Sequence, residues 1–195
     1  MNRRTFLTTV SAAGVAATGG CGTIAGEQTL SDPTVDAESS GRRTLIFTSD
    51  GEEVGHFGVD GRVDSGWVSL TTEIWHRENT RVESIGLRVW MPEGVRESPA
   101  DVAVVSPVEG DSSPPPSVAL YTPEQSLGTA IEITDLDDLA DETISTLELV
   151  VKPGTATATE LNVHATIELT SEGALGSDYT LDGALRLTYP KLATQ

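Results

Sequence analysis

Three histidines, His56, His76 and His164, are the residues of this 195-residue chain best placed by type to move a proton or hold a metal near neutral pH. They stand 20 and 88 residues apart. Zinc and copper ligands converge without help from the fold when two of them sit three or four residues apart, and no such pair occurs, so no histidine metal site is expected. Serines and aspartates are plentiful enough for a Ser–His–Asp arrangement. Yet no Gly-x-Ser-x-Gly segment exists, and no strand-to-helix elbow is available to expose a nucleophilic serine. Neither a catalytic residue nor a cofactor is expected.

A hard cation is the next possibility, because Asp135, Asp137, Asp138, Asp141 and Glu142 crowd into eight residues. Calcium takes several oxygen ligands, but a calcium-binding loop also needs a central glycine and a glutamate at its twelfth position. Both are missing here. In so acidic a chain a solvated loop is the simpler reading, with Asp135, Asp137 and Asp138 kept as candidate cation ligands. Trp67, Trp75 and Trp90 are a different kind of candidate. Each alternates with aliphatic neighbours (Val68, Leu70 and Ile74 for the first two, Leu87 and Val89 for the third), so an aliphatic core face turns the indoles outward. Exposed aromatics on a sheet mark a protein or carbohydrate contact, whereas tryptophans under a loop are only packing.

The sole cysteine, Cys21, cannot form an internal disulfide. It closes the segment Ala17-Thr18-Gly19-Gly20-Cys21, behind a short apolar run from Leu7 to Ala17. That run is too short for a bilayer, which needs about 20 apolar residues. Charged residues ahead of a short apolar run are the layout of an export signal. Arg3-Arg4 with Phe6-Leu7 resembles the twin-arginine signal, and the small residues before Cys21 resemble a lipobox, although Thr18 stands where leucine is usual. The resemblance implies export of a folded chain by the twin-arginine machinery, removal of residues 1–20, and a thioether lipid on Cys21. A lipidated cysteine leaves no thiol for a Cys–His nucleophile.

Composition agrees with that address. The chain has 30 acidic and 12 basic residues, a net charge of −18, and the loss of Arg3 and Arg4 leaves ten basic residues and a net −20. Lys152 and Lys191 are the only lysines. Dense carboxylate with scarce lysine resembles the proteins of salt-loving archaea, among which twin-arginine lipoproteins are common. At about 1 M salt the Debye length is ~3 Å, so such charges scarcely repel one another. A polyanion lacks the clustered Lys and Arg that phosphates require, which argues against nucleic-acid binding. It would not adhere to anionic headgroups either, so the membrane contact would have to come from the lipid.

Residues 21–41 are rich in Gly, Ser, Thr and acid and cannot bury a core, which predicts a flexible tether. Residues 42–195 form one domain-sized unit. Strict alternation marks strands at Leu161–Leu169 and Tyr179–Tyr189, with further strands at Val68–His76 and Val82–Met91. Weaker segments are Thr44–Ser49, Val54–Val59, Val102–Ser106, Val118–Thr122, Ala130–Thr134 and Ser145–Lys152. Asp50-Gly51, Asp60-Gly61, Pro114-Pro115-Pro116 and Lys152-Pro153-Gly154 read as turns. Leu136–Asp141 is the one helical hint. About ten strands predict an all-β antiparallel sandwich of two sheets, with a closed barrel as the alternative. The pattern resembles immunoglobulin-like domains, without their Cys…Trp…Cys spacing.

The short polar link Arg77-Glu78-Asn79-Thr80 predicts an antiparallel hairpin of Val68–His76 with Val82–Met91. In that register Leu70 faces Leu87, Val68 faces Val89, and Trp67 lies beside Trp90. Functionally, the expectation is a non-catalytic module of the cell envelope, lipid-anchored outside the membrane, with a protein or glycan partner. A small-ligand or cation carrier serving a transporter is the alternative, and a surface hydrolase has the least support.

Overall fold

The computed structural model describes residues 26–38, 42–92, 101–106, 117–124, 128–136, 144–153, 159–172 and 176–189. Twelve strands lie among them: β1 (Glu27–Leu30), β2 (Thr34–Ala37), β3 (Arg43–Ser49), β4 (Glu52–Asp64), β5 (Trp67–His76), β6 (Thr80–Trp90), β7 (Asp101–Ser106), β8 (Ser117–Tyr121), β9 (Thr129–Thr134), β10 (Ile144–Lys152), β11 (Glu160–Ser171) and β12 (Asp178–Thr188). They form two six-stranded sheets. The first runs β1-β12-β11-β6-β9-β8, the second β2-β3-β4-β5-β10-β7. All pairings are antiparallel except β1 with β12. The all-β sandwich expected from the alternation is the architecture observed.

Alternation builds the core directly. In β11 and β12 every second side chain is buried, as the period of two requires. Phe47, Phe57, Leu70, Ile74 and Leu149 of the second sheet meet Ile85, Ile131, Leu161, Ile167 and Leu181 of the first in one apolar cluster. Burying each such side chain contributes about 1.5–3 kcal/mol relative to leaving it in water.

Residues 27–37, expected within the tether, instead carry β1 and β2, so the sheets begin at Glu27 rather than near Arg42. Their side chains are almost all exposed. Ladder hydrogen bonds to β12 and β3 hold them in place of core burial. A composition unable to build a core can still cover a sheet edge. Asp60-Gly61 is likewise not a turn, because β4 passes through it and reverses at Ser65-Gly66. That reversal and the one at Asp50-Gly51 use two successive positive φ angles, 49° and 85° in the first and 54° and 83° in the second. Such pairs suit the right-handed twist of two-residue hairpins. Leu136 is buried at the start of the segment expected to turn helically. Residues 137–141 lie outside the described set, and among the described residues there is no α-helix.

The expected hairpin of β5 with β6 does not form. β5 pairs with β4 and β10 in the second sheet, while β6 pairs with β11 and β9 in the first. The link between them is an arch from sheet to sheet. The Arg77 N–H donates to Val54 O of the second sheet (3.1 Å), and Asn79 O accepts from the Glu172 N–H beyond β11 of the first (3.1 Å). Asn79 takes the left-handed conformation, φ 63°. His76 and Thr80, both buried, close the arch from inside. The Thr80 hydroxyl donates to Arg77 O at 2.7 Å, so its oxygen accepts from His76 Nδ1–H at 3.0 Å. Leu70 therefore faces Leu149 and Gly61, and Val68 faces Val151 and Val63, not Leu87 and Val89. The alternation could not separate the two arrangements. Hairpin and arch put the same side chains into the same core, edge to edge in one case and face to face in the other.

Candidate functional site

Cys21, Arg3, Arg4, Phe6 and Leu7 lie outside the described residues, as do Asp137 and Asp138. Asp135 is described. It has a positive φ of 58°, and its carboxylate accepts from the Ser117 hydroxyl. Among the described residues no group of three or more His, Cys, Asp or Glu could hold a metal ion. Among them, too, no helix is long and apolar enough to cross a membrane.

The three tryptophans do not assemble into one patch. Trp67 and Trp75 are on β5 and Trp90 is on β6, so they occupy the outer faces of opposite sheets. Trp67 is 44% exposed, with the Lys152 ammonium 5.5 Å from its ring centre. Trp75 is capped by the His56 imidazole, stacked at 5.3 Å and 18°. That imidazole donates to Glu53 Oε1 (2.7 Å) and lies 3.6 Å from Glu73 Oε1, which also pairs with Arg42. The Arg88 guanidinium covers Trp90 at 4.6 Å. Each indole is occupied by a cation or an imidazole from its own chain, a favourable use of the ring's negative face.

A cup of about 470 Å³ opens on the outer face of the first sheet, across β11, β6, β9 and β8. Strand register sets its walls. His164, Arg88, Ala130 and Tyr121 form one row across the strands, and Asp182, Thr166, Gly86, Glu132 and Ala119 the next. Gly86 has no side chain, so the centre of the second row is a floor of backbone. Ser84 and Glu168 close one end, the Ser84 hydroxyl donating to Glu168 Oε2 at 2.8 Å. On the flank of the cup, Asp182 accepts from the Thr166 hydroxyl (3.1 Å) and lies 3.3 Å from His164 Nε2. Arg88 is drawn along its strand onto Trp90, and its Nε is buried with no hydrogen-bond partner among the described residues.

Serine, histidine and aspartate thus share one face without forming a triad. Ser84 stands opposite Glu168 and His164 opposite Arg88, four residues further along, roughly 13 Å on strand geometry. The polar row of His164, Thr166 and Glu168 is legible in the sequence, but the opposing wall of Arg88, Glu132 and Tyr121 is not. The one local signal is Gly86, which breaks a β-branched and aliphatic strand at an outward position.

A family model described as "Domain of unknown function (DUF8121)" matches residues 27–191. The chain belongs to that family. The DUF8121 match begins at the first residue of β1, where the sheets begin. No curated protein matches the chain. Among solved structures it is similar to the cohesin module of a Clostridium perfringens family 33 glycoside hydrolase, with a TM-score of 0.43 and 14% identity over 70% of this chain and 96% of that one. It is similar also to the full-length major pilin SpaD of Corynebacterium diphtheriae (0.43, 13% identity, 62% of this chain and 31% of that one). A third likeness is to the collagen adhesin of Staphylococcus aureus (0.34, 9% identity, 82% and 91%).

Proposed function

We propose that the chain is a non-catalytic interaction module displayed outside the cell membrane of a salt-adapted cell. In this reading the twin-arginine machinery exports it, a lipid on Cys21 anchors it, and the outer face of the first sheet is the surface it presents. The observation that carries the reading is the cup above Gly86: an open recess on the outer sheet face in which Arg88, Glu132, His164 and Glu168 stand around a partly apolar floor. Its position suits display. The chain enters the first sheet at β1, one edge, whereas the cup spans β11 to β8, the four strands furthest from that edge. An anchor upstream of β1 leaves the cup clear.

Fractionation tests the anchor. Cys21→Ser should release the protein into the medium, or leave it held only by its uncut signal, and changing Arg3 and Arg4 to Lys should block export. Membrane retention of a processed Cys21→Ser chain would overturn the lipid assignment. For the contact face, the full-length protein is used at molar salt to capture partners from native envelopes. Substitution of Glu132 by Arg on the cup wall should abolish capture, and undiminished capture would remove this face from consideration.

A further inference from the structure

The parallel pairing of β1 with β12 sets Glu27 beside Asp178 and Leu30 beside Leu181. It sends the two free ends of that pair to opposite ends of the sheet. The chain enters β1 beside Asp178 and leaves β12 at Thr188, ten residues further, roughly 33 Å on strand geometry. A pull between those two points runs along the strands. Ladder bonds between parallel strands are evenly spaced, so such a pull loads them together, in shear. Had β1 been antiparallel to β12, its entry would lie toward the Thr188 end, and the same pull would open the bonds one after another.

Three further contacts oppose the slide. The Ser49 hydroxyl of β3 donates to Gln28 Oε1 at 3.1 Å, which ties β1 to the second sheet as well. Leu30 packs, partly buried, against the apolar cluster. Just beyond β1, Pro33 sits in a notch of β12. A β-carbon at Gly183 would stand 3.0 Å from Pro33 Cγ, 2.9 Å from Leu45 Cδ1 and 3.2 Å from Phe47 Cζ, so the missing side chain admits the proline ring. Gly183 interrupts a row of large inward residues, Tyr179, Leu181, Leu185 and Leu187. A slide of β1 toward its own start would carry Pro33 along β12 toward Leu181, the buried inward residue two positions nearer that end. The proline is a stop.

Resting on Cys21 as the lipid-bearing residue, we infer that β1 and the Pro33–Gly183 seat form a load-bearing latch, through which the anchor holds the module against a pull on its far end. Five residues, 22–26, separate Cys21 from Glu27, about 20 Å at full extension, so tension on the lipid reaches β1 first.

Single-molecule force spectroscopy of the unlipidated full-length chain tests this, with one handle on the thiol of Cys21, the sole cysteine. The second handle is placed on the C-terminus, to pull along the strands, or in place of Glu172, just past the end of β11 on the side where β1 begins, to pull across them. Native protein should need about twofold more force, or greater, along the strands than across them, since forced unfolding follows the unfolding barrier. Pro33→Ala should lower the force along the strands and leave the force across them unchanged. Equal native forces in the two directions overturn the latch, and so does a Pro33→Ala chain that holds along the strands as well as the native one. A variant weakened equally in both directions has lost stability rather than a stop, and that too overturns it. The handle takes the place of the lipid, so these forces decide the latch separately from the fractionation that decides the anchor.

Discussion

Gly61 of β4 lies directly under the hydroxyl of Tyr189, at the end of the first sheet, so closely that a methyl group at Gly61 would occupy the phenol's own space. The contact ties the two sheets together at one end of the sandwich. Gly61→Ala should therefore destabilise the domain by about 1–3 kcal/mol through overpacking, measured as a lower denaturant midpoint. Pairing the change with Tyr189→Phe, which removes the clashing oxygen, should recover part of the loss, because neighbours in contact are not additive.

Burial, with the Asp60 carboxylate nearby as a second cause, pushes the Tyr189 pKa up from 10.0 to about 12. The unfolded chain releases this proton near pH 10 and the folded chain only near 12. The stability associated with the raised pKa is thus fully present below pH 10 and is lost as pH rises from 10 to 12. Tyr189→Phe should flatten that part of the alkaline unfolding profile. An identical pH dependence in the variant would show that the group does not control it.

The arch between the sheets rests on the buried His76–Thr80 pair. Thr80→Val keeps the shape and removes both hydrogen bonds of the hydroxyl, leaving His76 Nδ1–H to Arg77 O, 3.2 Å away. A loss of about 0.5–1.5 kcal/mol is expected, the net worth of an intramolecular hydrogen bond. Asn79→Gly should be close to neutral, since Gly accepts the left-handed conformation, whereas Asn79→Val should be costly. Chemical denaturation of the three variants separates these outcomes.

Trp67 and Trp90 face solvent from opposite sheets. Trp67→Ala and Trp90→Ala should accordingly add in their effects on stability to within about 0.3–0.5 kcal/mol. A clear departure in a double-mutant cycle would contradict the placement of β5 and β6 in different sheets.

The chain carries a net charge of −18. The Debye length grows from ~3 Å at 1 M salt to ~10 Å at 0.1 M, so self-repulsion rises on dilution. The unfolding midpoint should fall over that range, and mild acidification, by protonating carboxylates, should restore part of it. A midpoint unmoved by salt would mean that the charges are spaced beyond mutual reach.

What could be read from the residues themselves is whatever depends on near neighbours in the chain. The alternation of Leu161–Leu169 and Tyr179–Tyr189 specifies strands and the side that faces the core, because successive strand side chains point to opposite faces. All ten strands expected from pattern and turn chemistry are present, together with the two-sheet arrangement. Partner choice is another matter. Whether β5 meets β6 edge to edge or across the core leaves the hydrophobic pattern unchanged, so the arch had to come from contacts distant in sequence, among them Arg77 with Val54 and Glu172 with Asn79. β1 and β2 escape the pattern because ladder hydrogen bonds, common to every residue type, hold them. The cup shows the same division. His164, Thr166 and Glu168 share a face on local grounds, but Gly86, Glu132 and Tyr121 reach it only through the ladders that set β6, β9 and β8 side by side. Period two is a property of the backbone within one strand; register across strands is decided by which edges find each other in three dimensions.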